Sequence, residues 1–345
     1  MNTLALVTSF AQIGRRFARE ESGARPGRNT TDIPETSTAL ADTPRGPETH
    51  QSVLVREVLE MLAPQEGDLI LDATAGAGGH SHALLSQAQV RLIALDADPA
   101  AVAAVAQRLL PFGDRARVIE ANFRDAKEVL GTQGITTINK ALFDLGWNRG
   151  QLYAGRGFSF MGNEPLLMSY GDKPASGFTA GDILNTWSAE ALADVLFGYG
   201  EERYARRIAK AITETRAAHP LRTTGELVDI ILRATPAGYH RGRTHAATKT
   251  FQALRIAVND ELGSLEKGIR GAWEMLAPGG RLAVISFHSI EDRAVKRLLK
   301  EFAEKDKGRA QLLTKKPITV SAQEAQVNPS ARSAKLRGIE RSSAE

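Results

Sequence analysis

Asp68-Leu-Ile-Leu-Asp72-Ala-Thr-Ala-Gly76-Ala-Gly78-Gly79-His80 is the stretch that decides the fold. A short apolar run ends in Asp72, glycines follow at 76, 78 and 79, and a helix is predicted over Ser81 to Gln87. A strand running into glycines and then a helix lets backbone N–H groups and the helix N-terminus approach a ligand closely. A bare tight turn would use the same glycines. A dinucleotide fingerprint would set its last glycine at position 81, where Ser81 stands.

Outward from this loop the pattern repeats. A helical stripe covers Val53 to Leu62, a second strand Arg91 to Leu95 ends in Asp96, and a helix opens at Pro99. Arg117 to Ile119 and Lys140 to Phe143 read as strands three and four, the latter ending in Asp144. Strands alternating with helices imply a parallel sheet covered on both faces, with ligands gathering at the carboxyl ends of its strands. Asp72, Asp96, Asp144 and the glycine loop all fall there. An acid ending the second strand suits a ribose, whose two hydroxyls donate to one carboxylate; a helix cap before Pro99 is the plainer alternative. Loop and acid together point to an adenosine-containing cofactor.

After Asp144 the alternation stops. Helices are predicted at Ala180 to Thr186, Ala189 to Leu196, Glu201 to Thr215 and Thr224 to Ala234. They suggest an inserted helical domain over residues 151–245, between two parts of one α/β domain at 50–150 and 246–345. The α/β pattern returns with one long helix from Thr248 to Leu276 and a strand from Arg281 to Phe287. Two last strands, Gln311 to Val320 and Ala334 to Ile339, are expected as a hairpin beside it.

The 345 residues are 42% hydrophobic and 24% charged, ordinary for a globular chain with a sizeable core. No apolar run is long enough to span a membrane. The absence of cysteine excludes disulfides and thiolate chemistry, and His80 has no clustered partners for a metal. Of the net charge of +4, residues 1–49 contribute zero, 50–304 contribute −1 and 305–345 contribute +5. That basic segment suggests contact with a polyanion, through Lys315, Lys316, Arg332, Lys335 and Arg337. Residues 1–49 read as a disordered extension. Their opening Arg-rich, acid-poor stretch is taken as a bacterial extension of a cytoplasmic protein, with a mitochondrial transit peptide as the alternative.

Two further stretches separate S-adenosylmethionine from a nicotinamide cofactor. Met275-Leu-Ala-Pro-Gly-Gly-Arg-Leu-Ala-Val-Ile-Ser-Phe287 resembles the helix, turn and fifth strand of class I, Rossmann-like methyltransferases. Asp144-Leu145-Gly146-Trp147 resembles the acidic motif of enzymes that methylate exocyclic amines. The match then narrows. HQSVLV from His50, DATAGAGGH from Asp72, GRGFSF from Gly155, YGEERYARRIA from Tyr199, TKTFQALRIAVNDEL from Thr248, SFHSIEDRAVK from Ser286 and NPSARSAKLR from Asn328 occur in order. Over residues 50–340 the chain resembles the RsmH or MraW family of small-subunit ribosomal RNA cytosine-N4 methyltransferases.

That resemblance implies a class I methyltransferase sheet with an inserted helical domain. It implies methyl transfer from S-adenosylmethionine to a cytidine amine in small-subunit ribosomal RNA, free or in the assembled subunit. The family's cofactor contacts fall on Gly78, Gly79, His80, Asp96, Phe123, Asp144 and Gln151. Phe123 would cover the adenine or belong to the core. A cytosine amine is a poor nucleophile, so Asp144 would polarise it, while Trp147 would stack the extruded base or serve as core. The chain departs from the family at Ala73, at Trp147-Asn148-Arg149 and at Leu167-Met168-Ser169. The last two departures lie on the substrate side and leave a divergent target, or a non-catalytic assembly factor, as the alternative.

Overall fold

The computed structural model describes residues 52–146, 155–171, 173–242, 244–305 and 308–342. The described residues open with α1 (Val55–Leu62) and β1 (Leu69–Asp72), followed by α2 (Gly79–Gln87), β2 (Arg91–Asp96) and α3 (Pro99–Leu109). Then come β3 (Ala116–Glu120), α4 (Ala126–Thr132) and β4 (Ile138–Asp144). The sheet order is β3-β2-β1-β4 and onward, so the chain reverses direction between β1 and β4. That reversal opens a crevice at the carboxyl ends of β1 and β4, where Asp72 and Asp144 stand.

The strands are apolar on both faces because both faces are covered. Leu71, Ile93, Leu95, Ala141, Phe143 and Val284 point to one side, and Ile70, Leu92, Ala94, Leu142 and Ile285 to the other. All eleven are buried. The first face joins one continuous core with the helices that follow β4, namely α5 (Ala180–Thr186), α6 (Ala189–Gly200), α7 (Ala205–Arg216), α8 (Thr224–Ala234) and α9 (Ala237–His240). Reciprocal side-chain caps start two of these helices, Thr179 with Asp182 and Thr223 with Glu226.

Three sequence expectations need correction. The long helix from Thr248 to Leu276 is two helices, α10 (Thr248–Asn259) and α11 (Glu261–Met275), broken at Asp260. Asp260 has φ 46°, a left-handed conformation that a short polar side chain tolerates better than most. The break lets α10 pack on α6 while α11 turns back over α4 and the sheet. Likewise α7 starts at Ala205 rather than Glu201, because Glu201 adopts φ 51° and caps α6. The strand expected at Gln311 to Val320 is two short ones, β6 (Ala310–Leu312) and β7 (Ile318–Thr319).

β5 (Leu276–Ser286) lies parallel to β4, and α12 (Ser289–Lys305) leaves its carboxyl end. After α13 (Ala322–Val327), β8 (Lys335–Arg341) runs antiparallel to β5 and pairs on its other side with both β6 and β7. Among the described residues no helix is long and apolar enough to cross a membrane.

Candidate active site at the carboxyl edge of the sheet

The glycine loop divides its labour. Gly78 is left-handed at φ 75°, and a side chain there would strike Val105 of α3. A β-carbon on Gly79 would fall on the Ser52 hydroxyl. The close approach at Gly78 and Gly79 is therefore to the protein itself. Gly76 differs: it too is left-handed, at φ 53°, but an added β-carbon would meet nothing within 4 Å. Its N–H donates to Asp96 Oδ2 at 2.8 Å.

Asp96 is not the helix cap. That role belongs to Asp98, whose side chain accepts from Ala100 N–H at 2.9 Å. Asp96 instead accepts from Gly76 N–H and, through Oδ1, from Asp98 N–H at 2.9 Å. Two backbone bonds leave a carboxylate further lone pairs for a diol. Burial pushes the Asp96 pKa up, against these two donors.

At the switch point three titratable groups converge. Asp72 is buried and accepts from Ser81 Oγ at 2.6 Å, which explains the serine where a dinucleotide loop would have glycine. His80, in the first turn of α2, is 5% exposed and sets Nε2 3.6 Å from Asp144 Oδ2. Among the described residues neither ring nitrogen of His80 has a hydrogen-bond partner, nor does Asp144 Oδ1. Burial opposes the imidazolium, yet Asp144 beside it and Asp72 behind it outweigh burial and raise the His80 pKa. Asp144 is held from the backbone side, its N–H donating to Thr74 Oγ1 at 2.6 Å. Buried polar atoms left without partners mark a place where a ligand supplies them.

The turn after Asp144 rests on an aromatic ring. A β-carbon on Gly146 would lie 3.0 Å from the Phe287 ring. Phe287 N–H donates to Glu291 Oε2 at 2.9 Å, and His288 Nε2 lies 3.0 Å from Glu291 Oε1. Behind them Arg255 holds Glu261 with two bonds, of 2.7 and 2.9 Å, and Tyr170 donates to the same carboxylate at 2.7 Å. Glu261, His288 and Glu291 bring ligand-type atoms within 4.8 Å of one another. Arg255 already supplies a cation to Glu261. This network was not anticipated. Its only sequence signal was a pair of charges, Arg255 and Glu261, inside otherwise apolar helical stripes.

Phe123 is wedged edge-on to Phe143, with ring centroids 5.9 Å apart, and against Gly268 of α11, where a β-carbon would come within 2.8 Å of its ring. Its packing is that of a partly buried core residue at the carboxyl end of β3. Trp147 and Gln151 lie outside the described residues, as do Asn148, Arg149 and the extension at 1–49. The basic C-terminal segment is less free than its charge suggested. Arg337 is 7% exposed and grips Asp292 at 2.7 and 3.2 Å, Lys335 shares that carboxylate, and Arg332 donates to Ala325 O. Lys315 and Lys316 alone of those five are exposed without a described partner.

The model of the MraW methylase family matches residues 48–342. A "Ribosomal RNA small subunit methyltransferase H" from Heliobacterium modesticaldum is 46% identical over 312 residues, covering 85% of this chain and 98% of its own. A protein of the same name from Methylocella silvestris is 45% identical, covering 87% and 89%. Among solved structures, an rRNA methylase from Streptococcus thermophilus aligns with TM-score 0.40 at 12% identity over 85% of this chain and 99% of its own.

Proposed function

This chain belongs to the MraW methylase family, and from that premise we propose that it methylates the exocyclic N4 amine of a cytidine in small-subunit ribosomal RNA, using S-adenosylmethionine. The relatives carry that RNA in their names. We take the substrate to be free small-subunit RNA or the assembled small subunit, met in the cytoplasm.

The observation that carries the reading is the Asp144–His80 pair at the switch point, with polar atoms on both residues that have no partner among the described residues. The residues fit a sulfonium cofactor with an amino-acid end and a ribose. His80 and Asp144 would take the amino-acid end, Asp96 the ribose, and the open space at Gly76 would admit the body between them. Bound there, S-adenosylmethionine supplies an electrophilic methyl group. Gly78 and Gly79 serve by locking the loop onto Val105 and Ser52, and Phe123 walls the adenine side while packing on Phe143. Gln151 and Trp147 complete the proposed set, one on the cofactor and one as a stacking surface for the extruded base.

The chemistry asks little covalent work of the protein. The cytosine amine lone pair is delocalised into the ring. An acceptor such as Asp144, helped by the Leu145 carbonyl, holds the amine hydrogens and localises that pair. Positioning of the two reactants supplies much of the rate, up to about 7–11 kcal/mol in favourable cases. After transfer the amine nitrogen carries a proton to be lost, and the carboxylate of Asp144 is the acceptor at hand, with His80 beside it.

The test is to map methylated cytidines in small-subunit ribosomal RNA with and without this protein, and to repeat transfer in vitro with Asp144→Asn. Loss of one N4-methylcytidine on deletion, restored by the wild type and not by Asp144→Asn, is the expected result. Binding of S-adenosylmethionine with no methyl transfer to RNA would instead indicate an assembly factor that kept the fold.

A further inference from the structure

Away from the crevice, one surface of the helical insertion is built rather than merely charged. The turn between α6 and α7 carries Glu201, Glu202, Arg203 and Tyr204. Glu201 anchors it to the rim of the carboxyl edge: its carboxylate takes Arg293 and, at 3.2 Å, the Ser289 hydroxyl, both at the start of α12, while Lys249 Nζ donates to its carbonyl at 2.9 Å. Glu202 is fully buried. It accepts from Tyr204 N–H at 2.9 Å and from the Tyr239 hydroxyl at 2.7 Å. Those bonds set the two tyrosine rings edge to face, 5.0 Å apart. The Arg203 guanidinium lies 4.8 Å from both centroids, and Arg207 lies 5.8 Å from the ring of Tyr204.

We propose that Arg203, seated on Tyr204 and Tyr239, together with Arg206 and Arg207, forms a phosphate-binding face that docks the backbone of the RNA substrate beside the crevice. The inference rests on the RNA reading above. All three arginines are exposed, and none forms an ion pair with a described residue. A guanidinium stacked on rings keeps its N–H edge for a phosphate and surrenders less freedom on binding than a free lysine. The buried carboxylate of Glu202 fixes one ring by its hydroxyl, so the seat exists before RNA arrives. Through Glu201 the face begins at Ser289, two residues past Phe287, and runs outward along α7. That placement lets RNA held here deliver one extruded base to the carboxyl edge.

Each phosphate contact releases counterions, giving a slope of log affinity on log salt of about −0.7 to −0.9, which amounts to about five- to eightfold in affinity at 0.1 M salt. The experiment measures binding of a small-subunit ribosomal RNA transcript by fluorescence anisotropy across a salt series. The full chain is compared with Arg203→Gln, with the triple variant Arg203→Gln, Arg206→Gln, Arg207→Gln, and with Arg203→Lys. Arg203→Gln should weaken binding about five- to eightfold and flatten the slope by a little under one; the triple variant should flatten it by about two to three. Arg203→Lys should keep the slope but raise KM for RNA, since the charge remains and the stacked fork is lost. Affinity for S-adenosylmethionine and kcat should stay at wild-type values in all three. An unchanged slope in the folded triple variant, beside a steep wild-type slope, overturns the inference and leaves the RNA reading standing. A wild type with no affinity for the transcript overturns both.

Discussion

Replacing the loop glycines one at a time separates packing from ligand approach. In Gly76→Ala the backbone must hold φ 53°, which costs an L-residue about 1–2 kcal/mol, but the new methyl meets no atom within 4 Å. A stiffer unfolded chain returns about 0.4–1 kcal/mol, leaving a net loss of about 1 kcal/mol. Gly78→Ala carries the same backbone cost and also drives a methyl into Val105; overpacking adds about 1–3 kcal/mol, for a net loss of about 1–4 kcal/mol. Gly79→Ala has no left-handed cost and gains about 0.5–1 kcal/mol of helix preference. Its new methyl would overlap Ser52 Oγ and lie 2.9 Å from Ser52 Cβ, so Ser52 must shift and offsets that gain, which should make this variant the mildest of the three. Urea unfolding of the apo-protein should rank stability as Gly79→Ala, then Gly76→Ala, then Gly78→Ala. Calorimetric titration of the folded variants should rank affinity for S-adenosylmethionine differently, with Gly76→Ala the worst, because only its methyl stands in open space. A fully stable Gly78→Ala, or wild-type affinity in Gly76→Ala, refutes the division of the loop argued here.

Three other outcomes follow from the site. Asp96→Ala should weaken S-adenosylmethionine binding by about 1.5–3 kcal/mol, read by calorimetry, since a charged acceptor for the ribose is lost. The His80 pKa stands above its ordinary 6.5, so its contribution to stability is fully present below 6.5 and fades as pH rises through the higher folded value. NMR titration should place it above 6.5 in the apo-protein and lower in Asp144→Asn, and a His80 titrating below 6.5 in the wild type contradicts the coupling. Glu261→Gln strips the largely buried Arg255 of its bidentate partner and should cost about 3–5 kcal/mol in denaturant unfolding, whereas breaking the exposed pair Lys127–Glu274 should leave the unfolding midpoint nearly unchanged.

The sheet was legible because the central strands β1, β2 and β4 each end an apolar run in an aspartate, and because glycine at 76, 78 and 79 punctuates the first crossover. Asp96 was placed correctly at a strand end, but which nearby acid caps α3 could not be chosen until Asp98 was seen accepting from Ala100. The turn at Asp260 escaped notice because neither glycine nor proline marks it and both flanks favour helix. The exposure of Arg337 was misjudged for another reason: its partner, Asp292, lies 45 residues away on α12, and no local pattern announces such a pairing. The tyrosine seat of Arg203 likewise needs Tyr239, brought across by the packing of the insertion.

The bend at Asp260 acts as a goniometer for the insertion. α10 is 12 residues, about 18 Å along its axis, so a 10° change at Asp260 would carry its far end about 3 Å. A misplacement of about 1 Å at the reacting atoms can cost about a hundredfold in rate, which sets an angular tolerance of about 3°. The Arg255–Glu261 clasp joins the last turn of one arm to the first residue of the other, across the pivot. In the docking proposed above, it holds the angle at which RNA on the outer helices would register with a methyl donor at the carboxyl edge of the sheet.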